Sequence, residues 1–256
     1  MKVYKYVPFS EGSLQILKSS TMKFSSAPEF NDPFDCVVNY DVDSSIDAYM
    51  SRPEILDQIA SGLGLLPEHV QEHNEELRGR IRTVIESGAI HDTLMEKVGI
   101  CSLSKSHDNI LMWSHYADNH KGFVVEFTLD VNDERIVNNP EFFFGGNDVE
   151  YSHDMPIKVV GTDNFSDHYR QFLVKSQDWK YEQEYRVLST NKGAGIHKFD
   201  HRLISSVIVG AKMPPENYRI LVNEVVEFMN RYDRNIPVQK ATIAKDKYEL
   251  VFKNVT

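Results

Sequence analysis

Residues Trp179 to Val187 alternate with a period of two. Read as a β-strand, they set Glu182, Glu184 and Arg186 on one face and Tyr181, Gln183, Tyr185 and Val187 on the other. Two carboxylates at i and i+2 of a strand stand about 7 Å apart, close enough to grip one small ligand or to divide acid and base duties. A face of this kind has two outlets. It is solvated, with Arg186 neutralising Glu184, or it encloses a polar site.

Strand patterns recur around it. Val3 to Val7, Thr21 to Ser25, Gly99 to Ser104, Phe123 to Leu129, Ser205 to Val209 and Val238 to Phe252 read as strands. A hairpin is expected over Phe142 to Tyr151, with Ile157 to Val160 beside it. Ser10 can cap a helix through Leu14, Ile16 and Leu17, Asp108 or Asn109 can cap one carrying Ile110 to Ala117, and Asp163 to Ser176 and Pro214 to Arg231 read as helices. Between Asp43 and Val98 the apolar spacing is helical, broken at Gly62, Pro67 and Gly88. Strands outnumber clean βαβ alternations, so the expected class is α+β, a single domain over 1–256 with a helical insertion at about 43–98.

The formal charge of −10 opposes bulk attraction to nucleic acid or anionic lipid, so nucleic acid enters only as a substrate in a local groove. The two cysteines, Cys36 and Cys101, have no CxxC spacing and suggest neither a disulfide framework nor a thiolate zinc site. No apolar signal core and no run of about eighteen apolar residues appears, so a cytoplasmic protein that does not span a membrane is expected.

Among reaction chemistries, nucleophile elbows, Walker-type loops and GxGxxG are missing, and Cys101 sits in an apolar strand where a thiol is usually inert. The 10 histidines form no HExxH motif. Asp32, Asp35, Glu182 and Glu184 could hold a hard cation in a metal-dependent nuclease or phosphodiesterase, although Asn31 and Asp32 also suit an ordinary turn. Trp113 and Tyr116 fall one turn apart on the helix, with His115 on a more polar edge. Tyr4 and Tyr6 share a strand face opposite Lys5, and Ser102 and Ser104 share a face opposite Cys101 and Leu103. Aromatic rings beside carboxylates suit a base or nicotinamide ring stacked over an acidic centre.

Taken together, Tyr4-Lys5-Tyr6, Phe30 to Asp35, Cys101 to Ser104, Trp113 to Ala117 with Gly122, and Trp179 to Arg186 resemble a bacterial domain family of unknown function, DUF2971, over nearly the whole chain. The order of an aromatic first strand, a serine-bearing middle strand and a late Glu-x-Glu strand also resembles the ADP-ribosyltransferase superfamily, whose core is a mixed, mainly antiparallel sheet. That resemblance implies an enzyme taking NAD as substrate, for ADP-ribosyl transfer to a macromolecular acceptor or for NAD glycohydrolysis, as a toxin or phage-defence effector; no metal cofactor is expected. It assigns catalysis to Glu184, with Glu182 addressing the acceptor. NAD would be held from Lys5 or Tyr6, where the superfamily has Arg or His, and from Ser102 or Ser104. Tyr4, Trp113, His115, Tyr116, Arg186, Asn31 and Asp32 complete the candidate nucleotide contacts. A non-enzymatic ligand- or partner-binding module remains the other alternative.

Overall fold

A computed structural model describes residues 1–62, 73–129, 145–162 and 169–255. They form two compact units, one of residues 1–25, 99–149 and 178–256 and the other of residues 26–98 and 150–177.

The first unit is built on an eight-stranded mixed sheet. Its strands are β1 (Lys2–Val7), β2 (Gly99–Ser104), β3 (Phe123–Thr128), β4 (Asn147–Asp148), β5 (Glu184–Ser189), β6 (Ile204–Val209), β7 (Val238–Ile243) and β8 (Leu250–Asn254). Across the sheet they run β8-β7-β6-β3-β1-β2-β5-β4. Only β6 and β7 pair in parallel, and every other pairing is antiparallel. This is the α+β class expected from the sequence.

Both faces of the sheet are covered. Leu14, Ile16 and Leu17 of helix α1 (Glu11–Lys18) and Leu221, Val225 and Phe228 of the long helix over Pro215–Tyr232 pack with Val3, Leu103, Val125 and Val187 on one face. Met112 and Trp113 of helix α2 (Ile110–Tyr116) pack with Tyr4, Tyr6, Val124 and Ile208 on the other. Asn109 caps α2 through its Oδ1, which accepts from the backbone N–H groups of Leu111 and Met112 at 2.9 and 3.3 Å. After α2, three successive residues, Asp118, Asn119 and His120, take positive φ. The chain then turns at Gly122, where a Cβ would lie 2.1 Å from the Val7 carbonyl oxygen, so only glycine fits.

The second unit carries the helices Val42–Met50, Pro53–Gly62, Asn74–Glu86 and Ala89–Lys97, which lie within the segment where helices were expected. Ile46, Ile81, Ile85 and Val160 form its core. No helix among the described residues is long and apolar enough to cross a membrane.

Several expectations are corrected. Gln177–Glu182 is a 3-10 helix and the strand begins only at Glu184, with Gln183 at φ 44° between them. Glu182 and Glu184 therefore do not share a strand face. The hairpin of Phe142 to Tyr151 does not form within the described residues: Asn147–Asp148 pairs with β5, whereas Glu150–Ser152 pairs in parallel with Val174–Ser176. Ile157–Lys158 pairs in parallel with Asn39–Tyr40. The helix expected over Asp163 to Ser176 gives way to a 3-10 turn at Gln171–Leu173 and a strand at Val174–Ser176, and its first six residues lie outside those described. The short strand pairings come from long-range partners that local spacing does not encode.

Candidate functional site

Antiparallel register lines up a polar row across the α2 face of the sheet. Tyr4 of β1 stands opposite Ser104 of β2 on one side and Glu126 of β3 on the other, and Ser104 in turn faces Glu184 of β5. Directly opposed residues share a face, about 4.5–5.5 Å apart at Cα. Glu126, Tyr4, Ser104 and Glu184 thus form one row over four neighbouring strands. One step along, Arg186 faces Ser102.

The carboxylates of the row are held by named partners. Arg186, 0% exposed, grips Glu184, 4% exposed, with Nε to Oε1 at 2.8 Å and an Nη to Oε2 at 3.1 Å. This is a bidentate fork, the strong and directional form of a guanidinium–carboxylate contact. Glu126 accepts from Lys2 at 3.0 Å and from the Ser205 hydroxyl at 2.7 Å. Burial and the adjoining Glu126 carboxylate push the Tyr4 phenol up to about 12, so Tyr4 is a hydrogen-bond donor at neutral pH.

Glu182 approaches from the 3-10 segment. It is 2% exposed and accepts from the Tyr116 hydroxyl at 2.5 Å. Burial, reinforced by the Glu182 charge, holds the Tyr116 phenol far above its usual pKa, so the proton stays on the tyrosine. Ser104 donates to the Glu182 carbonyl at 2.6 Å while Asn109 donates its amide to the Tyr181 carbonyl at 3.1 Å, and these two bonds pin the 3-10 segment onto β2 and α2. Above Tyr116 lies an aromatic group in which His115, Trp179 and Tyr181 stand at mutual ring-centroid distances of 6.4, 6.1 and 6.0 Å. His115 Nδ1 and the Tyr181 hydroxyl are 3.0 Å apart. Tyr6 and Trp113 lie deeper, edge to face at 5.4 Å, with the Tyr6 hydroxyl donating to the Ser106 carbonyl at 3.0 Å and the indole N–H to the His107 carbonyl at 2.8 Å.

The sequence candidates divide accordingly. Tyr4, Tyr6, Ser102, Ser104, Trp113, His115, Tyr116, Glu182, Glu184 and Arg186 all belong to the first unit, where the sheet face and α2 gather them. Lys5 emerges on the opposite face, its Nζ donating to the Ser102 carbonyl at 2.9 Å. Asn31 and Asp32 belong to the second unit, and Asp32 Oδ1 accepts from the Phe34 N–H at 2.9 Å in the ordinary turn arrangement. Asp35, also there, pairs with Lys175 at 3.4 Å. Among the described residues no three His, Cys, Asp or Glu side chains are grouped to hold a metal ion. Sequence reasoning missed Glu126, whose signal was a lone acid inside the apolar strand Phe123–Thr128. It also missed the ring packing of Trp179 and Tyr181 on His115, because a strand reading sends those side chains away from the glutamates.

The molecule is thus an α+β protein whose sheet carries a buried acidic and aromatic centre beneath a short helix. Residues 112–187 match the family described as a protein of unknown function, DUF2971, which supports that family for this chain. The matched segment runs from Met112 of α2 to Val187 of β5, and so holds Tyr116, Glu182, Glu184 and Arg186 while β1 and β2 fall outside it. No curated protein and no solved structure matches the chain.

Proposed function

We propose that this chain binds NAD along the Tyr4–Ser104–Glu184 row and acts as an ADP-ribosyltransferase-like enzyme, cleaving the bond between nicotinamide and ribose. The observation that carries the reading is the register itself. The superfamily resemblance assigns Lys5 or Tyr6 on the first strand, Ser102 or Ser104 on the second and Glu184 on the third, and here Ser104 and Glu184 are direct neighbours, with Tyr4, a further candidate contact on the same face as Tyr6, on the other side of Ser104. Of the two first-strand candidates, Tyr6 lies on this face with Tyr4, whereas Lys5 leaves by the other, which favours Tyr6.

Glu184 has the chemistry the step demands. Departure of neutral nicotinamide with the bonding electrons leaves positive charge on the ribose, and an oriented carboxylate stabilises that charge more in the transition state than in the ground state. The Arg186 fork fixes the orientation of the carboxylate. His115, Trp179 and Tyr181 supply aromatic faces suited to the nicotinamide or adenine ring.

The test is nicotinamide release from NAD by the wild-type protein and by Glu184→Gln. Loss of release by at least about a hundredfold, with circular dichroism unchanged, is the expected result for a transition-state electrostatic contact. Equal release by both proteins overturns the assignment. A second reading, a non-enzymatic binding module, draws on the same fork: Glu184 and Arg186 neutralise each other inside the protein, as a structural pair does. It expects no release of nicotinamide by the wild-type protein. The divalent-cation alternative lacks a ligand set among the described residues.

A further inference from the structure

The sheet ends on one side at β8, which has no strand beyond it among the described residues. Backbone bonds fix which of its groups face outward. The Ala244 N–H donates to the Glu249 carbonyl at 3.1 Å and the Val255 N–H to the Val238 carbonyl at 2.9 Å. Between these two bonds the register runs unbroken, with Thr242 opposite Val251 and Lys240 opposite Lys253. Bonded and non-bonded pairs alternate along an antiparallel ladder, so Val251 and Lys253 also turn their N–H and C=O groups towards β7. The Thr242 hydroxyl, donating to the Val251 carbonyl at 3.0 Å, agrees with this. Leu250, Phe252 and Asn254 therefore direct their backbone groups away from the sheet. A bare edge is a template for another strand, and proteins commonly close one with a bulge or a proline. β8 has neither.

The side chains give this edge a sign. Lys240 and Lys253 stand directly opposite each other on the face covered by the helix Pro215–Tyr232, where Lys240 Nζ lies 5.3 Å from the centre of the Tyr218 ring. Like charges so placed repel. Lys247 meets Glu249 at 3.9 Å, but neither Lys240 nor Lys253 has a carboxylate partner among the described residues. Between Gln239 and Asn254 four lysines stand against two acids, in a chain whose formal charge is −10. On the α2 face the edge is apolar: Leu250 and Phe252 pack with Ala241, and the Phe252 ring lies 4.7 Å from the His107 imidazole.

We infer that β8 is a docking edge for an extended acidic segment of a partner protein, which adds to the sheet as a further antiparallel strand. Main-chain bonds to Leu250, Phe252 and Asn254 supply the hold, and alternate side chains supply the selection. Apolar side chains of the segment continue the row of Leu250 and Phe252, while an acid between them sits beside Lys253 and relieves the lysine pair. A second copy of this chain is the poorer occupant, because pairing β8 with itself about Phe252 brings two more lysines onto the same face. β7 and β6 separate this edge from the Glu126–Glu184 row, so the inference stands whatever becomes of the NAD reading.

Fluorescence anisotropy of the full chain tests it, with a fluorescein-labelled peptide of four Val-Glu repeats as the probe. Saturable binding is expected, with a peptide of four Val-Lys repeats at least about tenfold weaker. N-methylation of the valines, which removes the donors facing β8, should weaken the Val-Glu peptide by about tenfold or more. Asn254→Pro should do the same from the other side, since the N–H it removes is not part of the β7 ladder. Lys253→Glu, which gives Lys240 an acid opposite it, should abolish the preference for the acidic peptide. No saturable binding, equal binding of the acidic and basic peptides, or indifference to N-methylation overturns the proposal. So does a dimer of the chain alone in sedimentation equilibrium that Asn254→Pro dissociates, because the edge would then belong to a second copy.

Discussion

At the scale of single residues, Arg186 decides whether the sheet can tolerate acid in its interior. Its side chain is fully buried and its guanidinium forks onto Glu184. Removing one member of a buried pair strands the other charge in a medium that solvates it poorly. Arg186→Met, which keeps much of the volume, should therefore cost about 3–5 kcal/mol of unfolding free energy in urea titration. The double variant Arg186→Met with Glu184→Met should be closer to wild type than the single, because the two charges of the fork leave together. By contrast the exposed Arg82–Asp43 pair, screened by solvent, should contribute little. A single Arg186 variant as stable as wild type would show that the fork contributes nothing.

At the scale of elements, the decisive feature is the left-handed residue between the 3-10 segment and β5. The alternation from Trp179 to Val187 made one continuous strand the natural reading, and its second half is a strand. There the period of two placed Glu184 with Arg186 on one face, as it placed Tyr4 with Tyr6 and Ser102 with Ser104. The first half winds because Ser104, Asn109 and Tyr116, 66 to 78 positions away in sequence, hydrogen bond Glu182 and Tyr181. Nothing local distinguishes Tyr-x-Gln in a strand from Tyr-x-Gln ending a tight helix. The cross-sheet row was illegible for a related reason, since alternation gives the face of each residue but not the register between strands. Gln183, exposed at φ 44°, tests this account. An L-residue pays about 1–2 kcal/mol in the left-handed region, so Gln183→Gly should be neutral to stabilising and Gln183→Val should destabilise by at least about 1 kcal/mol. Chemical denaturation reads both, and equal stability of the two variants would mean that the turn is not held as described.

At the scale of the whole molecule, the sheet unit is assembled from three stretches of chain and holds two apolar cores composed only of its own residues. The first interruption leaves and returns at adjacent points. Ser25 and Ile100 exchange backbone hydrogen bonds, N–H to carbonyl at 2.9 and 2.8 Å in the two directions. Deleting 27–98 with Ser26→Asn would join this pair through the substituted position and Gly99, giving the Asn-Gly dipeptide favoured in a two-residue hairpin turn. The second interruption, 150–177, can be replaced by a Gly/Ser linker of about ten residues, which reaches roughly 33 Å when extended. Shortening a loop lowers the closure cost only slowly with length, so the gain is small and the outcome rests on the cores. The shortened chain should therefore unfold cooperatively and keep a dispersed amide spectrum and near-ultraviolet circular dichroism. A product that retains secondary structure but binds a hydrophobic dye and loses the near-ultraviolet signal would show that packing in the sheet unit depends on the excised residues.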